Sequence, residues 1–268
     1  MYPTAQALAR TYSDREYPDP WQKVLDYRRV REYAAEHPNH GRTRVGSALE
    51  LPPSRVRGWL DGGMPDSVRG IQTAIGHGWI DPDEATTAAF VDLLAHVLAG
   101  GSINDTFVPA ITVDDSVATD EVRSVFEALG VDILTRNGEV DNRATEVVPA
   151  ADASVLGRCL VAIGAPVGEK AGLDSFPQVV WDVPKPVRES FVRIYVGHRA
   201  LTYETKDTRV IQEDRSRAYL DALRDVLADV TGEPVSVGDG RVTVSAAAAR
   251  RLAKPDRTGS VPSSSPPK

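Results

Sequence analysis

The chain has one cysteine, two methionines and six lysines among 268 residues, and no apolar run near the 18 or so residues that a membrane helix requires. A lone Cys159 cannot build a disulfide framework or a cysteine-built zinc site. The start, Met1-Tyr2-Pro3-Thr4, has no basic segment leading into an apolar stretch. No signal peptide is therefore expected, and the chain reads as cytoplasmic. Aromatic residues make up only 6%, yet an apolar share of 41% and a charged share of 26% exclude a wholly disordered chain.

Scarce lysine leaves arginine to supply the positive charge, 25 residues against 6. The net charge is −7, unevenly spread. Residues 1–80 carry 11 basic and 9 acidic groups, and residues 81–268 carry 20 and 29, which is −9. Within 21–60 there are 8 basic groups against 4 acidic ones. A basic block in an acidic chain points to one face for a polyanion.

Residues 1–20 contain three prolines and no apolar periodicity, so a flexible arm is expected. Residues 21–80 read as four helices: Trp21–Glu36 on the spacing of Val24, Tyr27, Val30 and Ala34, then Thr43–Glu50, Pro53–Asp61 and Asp66–His77. From residue 84 an apolar helix to Ala99 is followed by alternating residues in Thr106–Val113 and a helix Thr119–Leu129. A hairpin Val131–Thr135/Thr145–Val148 then turns at Asn137-Gly138, before a helix from Ala151 to Gly164.

The second half repeats that order: helix Pro186–Arg199, strands within Leu201–Gln212, helix Asp214–Val230, hairpin Val235–Val237/Val242–Val244 and a last helix to Leu252. Repeated order argues for internal duplication over 84–253, with halves of about 84–165 and 186–253. Residues 254–268 are Pro/Ser-rich and read as a disordered tail. The expected class is α+β, an all-α N-terminal part before a duplicated αββαββα domain.

In the N-terminal part Val45, Ala48 and Leu49 make one inward stripe, Leu51 fills a turn, and Val56, Trp59 and Leu60 make a second. The pattern resembles a helix-turn-helix, in which the second helix enters the major groove. On that resemblance Ser54, Arg55 and Arg57 face double-stranded DNA, where guanidinium grips guanine or phosphate with two parallel bonds. Arg42, Thr43 and Arg44 meet the backbone at the entry to the preceding helix.

Leu93–Ile103, with Ala95, Ala99 and Gly100, and Phe191–Ala200, with Gly197 and Ala200, carry small residues where two helices would meet. Between them run Leu156–Leu160, Ile163–Lys170 and Phe176–Trp181. These segments resemble the LAGLIDADG homing endonucleases over roughly 84–253. The resemblance implies two signature helices side by side beneath a DNA-binding saddle, with Lys170 aligned to a lysine frequent in the family. It also implies one metal-binding carboxylate at the foot of each helix. Here those feet carry Gly100 and Arg199, and no acid lies between Asp92 and Asp105 or between Glu189 and Glu204. An arginine repels a divalent cation and favours a phosphate oxygen.

The resulting expectation is a non-cleaving regulator of transcription that binds double-stranded DNA, with no metal, no catalytic residues and no cofactor. It is a monomer or weak dimer, since both halves share one chain. Two other classes stay open: an active endonuclease, if acids are misaligned, and a protein-interaction module, which the acidic large domain would suit. His37, His40, His77, His96 and His198 do not group as a metal set, and Gly238-Asp239-Gly240 reads as a hairpin turn rather than a phosphate loop.

Overall fold

The computed structural model describes residues 2–138, 143–171, 173–203 and 206–253. The tail expected at 254–268 and part of the loop after Asn137-Gly138 fall outside these residues. Asp19 starts the second helix by accepting the Trp21 amide, with Pro20 supplying the first helical position. That helix buries Val24, Tyr27 and Val30 against two short helices. These are α3 (Arg42–Leu49) and α4 (Pro53–Leu60), and α2 is Pro20–Glu36.

Between α3 and α4 the chain turns through Glu50 at φ +58°, with Leu51 donating to the Gly46 carbonyl at 2.9 Å. A Cβ on Gly46 would lie 2.7 Å from the Leu51 oxygen, so only glycine admits this turn. The tight turn also alters the expected inward stripe. Val45 and Gly46 are buried, Leu49 is half-buried and Ala48 is exposed. A fifth helix, α5 (Asp66–Gly76), follows.

The arm is not loose. Thr4 caps a short helix, α1 (Ala5–Ala9), and Leu8 and Ala9 are fully buried. Arg10 holds Asp19 with two bonds, at 3.2 and 2.8 Å, and the Tyr17 hydroxyl donates to buried Asp26 at 3.0 Å. Leu8, Ala9 and Tyr17 are too few and too unevenly spaced to register as periodicity, yet each fills a place in the core.

The rest is two units with one order of elements. The first is α6 (Glu84–Gly100), β1 (Gly101–Ile103), β2 (Pro109–Val113), α7 (Thr119–Ala128), β3 (Ile133–Arg136), β4 (Thr145–Pro149) and α8 (Ala153–Ala162). A short helix α9 (Val179–Asp182), not expected from the sequence, lies between the units. The second unit is α10 (Lys185–Arg199), β5 (Ala200–Tyr203), β6 (Lys206–Gln212), α11 (Arg217–Thr231), β7 (Val235–Gly238), β8 (Arg241–Val244) and α12 (Ala246–Leu252). Each forms a four-stranded antiparallel sheet with the order first, second, fourth, third. The chain is thus α+β.

Two boundaries moved by three residues or more, each for a local reason. β1 begins directly at Gly101, because residues 104–108 form a turn in which the Asn104 side chain accepts from Thr106 and Val108. α11 starts three residues later than expected, where Ser216 accepts the Tyr219 amide. The Gly238-Asp239-Gly240 segment is a hairpin turn, with Gly240 at φ +60°. Among the described residues no helix is long and apolar enough to cross a membrane.

The N-terminal helices are fastened to the first unit. Buried Trp79 donates from Nε1 to the Leu129 carbonyl at 2.9 Å, and His77 stacks on it while reaching Asp152 at 2.8 Å. Arg158 of α8 lies between the rings of Tyr12 and Phe107, at 4.0 and 3.6 Å, and donates to the Thr11 carbonyl. One continuous core results. Leu8→Ala should therefore cost about 2–4 kcal/mol in urea unfolding, the price of emptying a core position. A change within ~0.5 kcal/mol would mean the arm is detached in solution.

Candidate nucleic-acid interface

Two places gather the arginines that the sequence marks. On α3 and α4 the buried residues Val45, Val56 and Trp59 face α2, which leaves Arg42, Thr43, Arg44, Ser54 and Arg57 exposed. Arg42 and Arg44 have no side-chain partner among the described residues. Among the described residues Arg57 meets only Asp61, one turn on, at 3.4 Å with both groups well exposed. Such a pair holds its arginine weakly.

Arg55 is different. Its guanidinium takes Glu16 through Nε at 3.2 Å and Nη2 at 3.1 Å, donates to the Tyr17 hydroxyl at 3.0 Å and sits 4.5 Å over that ring. The structure therefore places Arg55 on the arm rather than beside Ser54 and Arg57. Nothing in local spacing signals this, because its partners lie 38 and 39 residues away.

The second place is the seam where α6 and α10 run against each other. A Cβ on Gly100 would fall 2.0 Å from the ring of His198, so this glycine lets the neighbouring helix close in. Gly197 has nothing near its missing Cβ and is exposed, so it does not line the close approach expected of it. His96 lies inside α6, fully buried, with Nδ1 2.8 Å from His198 Nε2 and its own Nε2 without a partner among the described residues. Neither ring is favoured as a cation here. Burial, with His198 nearby, pushes His96 down to about 3; burial also pushes His198 down to about 4.

At the foot of the seam Lys170 and Arg199 come together, but each is engaged. The Lys170 ammonium donates to the carbonyls of Val97, Leu98 and Gly101 at 3.0, 3.1 and 2.7 Å. It satisfies the open C-terminal end of α6, where a positive charge also meets the negative end of the helix dipole. Arg215 donates to the Leu98 carbonyl as well, at 2.6 Å.

Arg199 holds Glu213 through Nε at 3.0 Å and Nη2 at 2.9 Å. Glu213 is buried and also receives the Tyr195 hydroxyl at 2.6 Å and Arg215 at 3.2 Å. The Tyr195 phenol, wholly buried beside this carboxylate, is raised well above its ordinary value.

Glu213, Arg215 and Tyr195 were not marked by the sequence. One signal could have found the first: the residue just past the second strand of each unit is acidic, Asp114 after β2 and Glu213 after β6. The two are used differently, for Asp114 ties its own loop by accepting from Ser116 and Val117. Glu213, met by two guanidinium groups and a phenol, is already neutralised. Among the described residues no group of three or more His, Cys, Asp or Glu side chains could hold a metal ion. Buried Cys159 has its thiol pushed up to about 12 and does not act as a thiolate.

No family model matches the chain, and no curated protein matches it either.

The seam makes stability pH-dependent with a definite sign. Both histidines titrate lower in the fold than in the unfolded chain, so the unfolded state takes up protons first as pH falls below about 6.5. Their contribution is present above that pH and is lost towards pH 4. Asp92, raised to about 6 by burial, has the opposite slope in the same range. Two histidines outweigh one carboxyl. Urea midpoints should thus fall between pH 6.5 and pH 4.5, and His96→Gln should flatten that fall. An unchanged slope in the variant would show that the pair does not control it.

Proposed function

We propose that this protein binds double-stranded DNA in a sequence-specific way and regulates rather than cleaves it. The reading is carried by the α3–α4 face, where Arg42 and Arg44 stand exposed, without side-chain partners among the described residues, beside Thr43, Ser54 and Arg57 in an otherwise acidic chain. Two short helices joined by a three-residue turn suit a helix-turn-helix, with α4 offered to the major groove and α3 to the backbone. Arg57 is then the base reader, and Arg42, Thr43 and Arg44 are the positioning contacts.

The paired αββαββα units support a LAGLIDADG-like saddle related by internal duplication. The feet of its two inner helices carry Gly100 and Arg199, and Lys170 and Arg215 add an ammonium and a second guanidinium there. A metal-dependent hydrolysis needs oxygen ligands for its ions. Glu213, the buried carboxylate at the second foot, is consumed by Arg199, Arg215 and Tyr195.

Duplexes selected from a random pool, read by fluorescence anisotropy against salt, test the reading. Arg57→Ala should weaken the selected site by roughly 1–3 kcal/mol and relax its sequence preference. Arg42→Ala should weaken all duplexes alike and lower the salt slope by about one. Binding should be indifferent to EDTA. No retained duplex even at low salt would overturn the proposal, and specific nicking with Mg²⁺ that EDTA abolishes would overturn its non-cleaving half.

A further inference from the structure

We propose that a recess of about 130 Å³ at the foot of α10, walled by Lys170, Arg199 and Arg215, is a phosphate subsite that takes one tetrahedral oxyanion. Ala171, Glu213 and Asp214 complete its lining. The proposal rests on the DNA reading for its favoured source, a backbone phosphate of the duplex; a free phosphorylated ligand offers the same chemistry.

The buried wall has more cation than its neighbours neutralise. Three positive groups meet one buried carboxylate, Glu213, and the carbonyls at the end of α6. Arg215 has a side chain only 2% exposed, with Nε on Glu213 and Nη2 on the Leu98 carbonyl, while its Nη1 has no partner among the described residues. A buried donor left unmade is costly, and a phosphate oxygen is the acceptor it lacks. Arg199 has no partner at Nη1 among the described residues, its bonds running through Nε and Nη2, and its side chain is 38% exposed.

Crowding of cations is felt at Lys170. Its ammonium is brought down to about 8, chiefly by burial and then by Arg215 and Arg199. An anion between them would offset that repulsion. Asp214 works against it: this carboxylate is exposed, has no partner among the described residues and stands at the rim. Its removal should admit an anion more readily, without touching the buried network.

The full chain is titrated with inorganic phosphate, at ionic strength matched with chloride, and followed by thermal unfolding. The same proteins are titrated with a selected duplex. Phosphate should raise the unfolding temperature beyond chloride. Arg199→Gln should abolish this gain and weaken the duplex several-fold, while Asp214→Asn should tighten phosphate roughly threefold or more. Because Arg199→Gln loosens a buried carboxylate and could impair folding, Asp214→Asn supplies the independent readout.

Phosphate indistinguishable from chloride, with Asp214→Asn no different, overturns the subsite even if the duplex binds through α3–α4. A phosphate response without duplex binding upholds the subsite, assigns it to a free phosphorylated ligand and overturns the DNA reading. A phosphate response together with a duplex that loses affinity in Arg199→Gln supports both.

Discussion

Close contact between α6 and α10 sets the terms for everything around it. The helices can meet only because Gly100 has no side chain where the His198 ring lies. Their meeting buries His96 and fixes both imidazoles as neutral partners across the seam. At its C-terminal end α6 also leaves the carbonyls of Val97 and Leu98, with that of Gly101 just beyond, without the amide donors of a further turn. Lys170 and Arg215 answer that need, and they bring positive charge to the place where the two sheets begin. Electrostatic character at the feet thus follows from helix geometry.

Much of this was legible in the order of residues. Spacing of Val24, Tyr27 and Val30, the apolar run after Glu84, and alternating residues in the hairpins are local signals, and the helices and strands formed where they lie. Repetition of helix, two strands, helix, two strands, helix was visible as well, and both sheets carry the same strand order. Class and the pairing of α3 with α4 follow from such short-range patterns.

What was hidden depends on distance along the chain. Arg55 looks like an outward residue of α4 until Glu16 and Tyr17 fold back on it. Lys170 aligns with a family lysine, yet nothing near it in sequence shows that it closes the end of α6. The arm seemed unanchored, because Leu8, Ala9 and Tyr17 earn their burial from helices far downstream in sequence. Net charge misleads in the same way. Arg188, Arg193 and Arg217 are matched with Asp229, Glu189 and Asp221, so an acidic total conceals which arginines are free. Arg42 and Arg44 stand out only once partners are assigned.

The fastening of the N-terminal helices has a mechanical consequence. Trp79 bonded to Leu129, and Arg158 held between Tyr12 and Phe107, tie the arm and the end of α5 to α7, α8 and the loop before β2. The N-terminal helices and the first unit share one core rather than hanging together as two beads on a string. On the proposed DNA reading, a duplex met by both α4 and the paired units has to present its two contact regions at one separation and one phase.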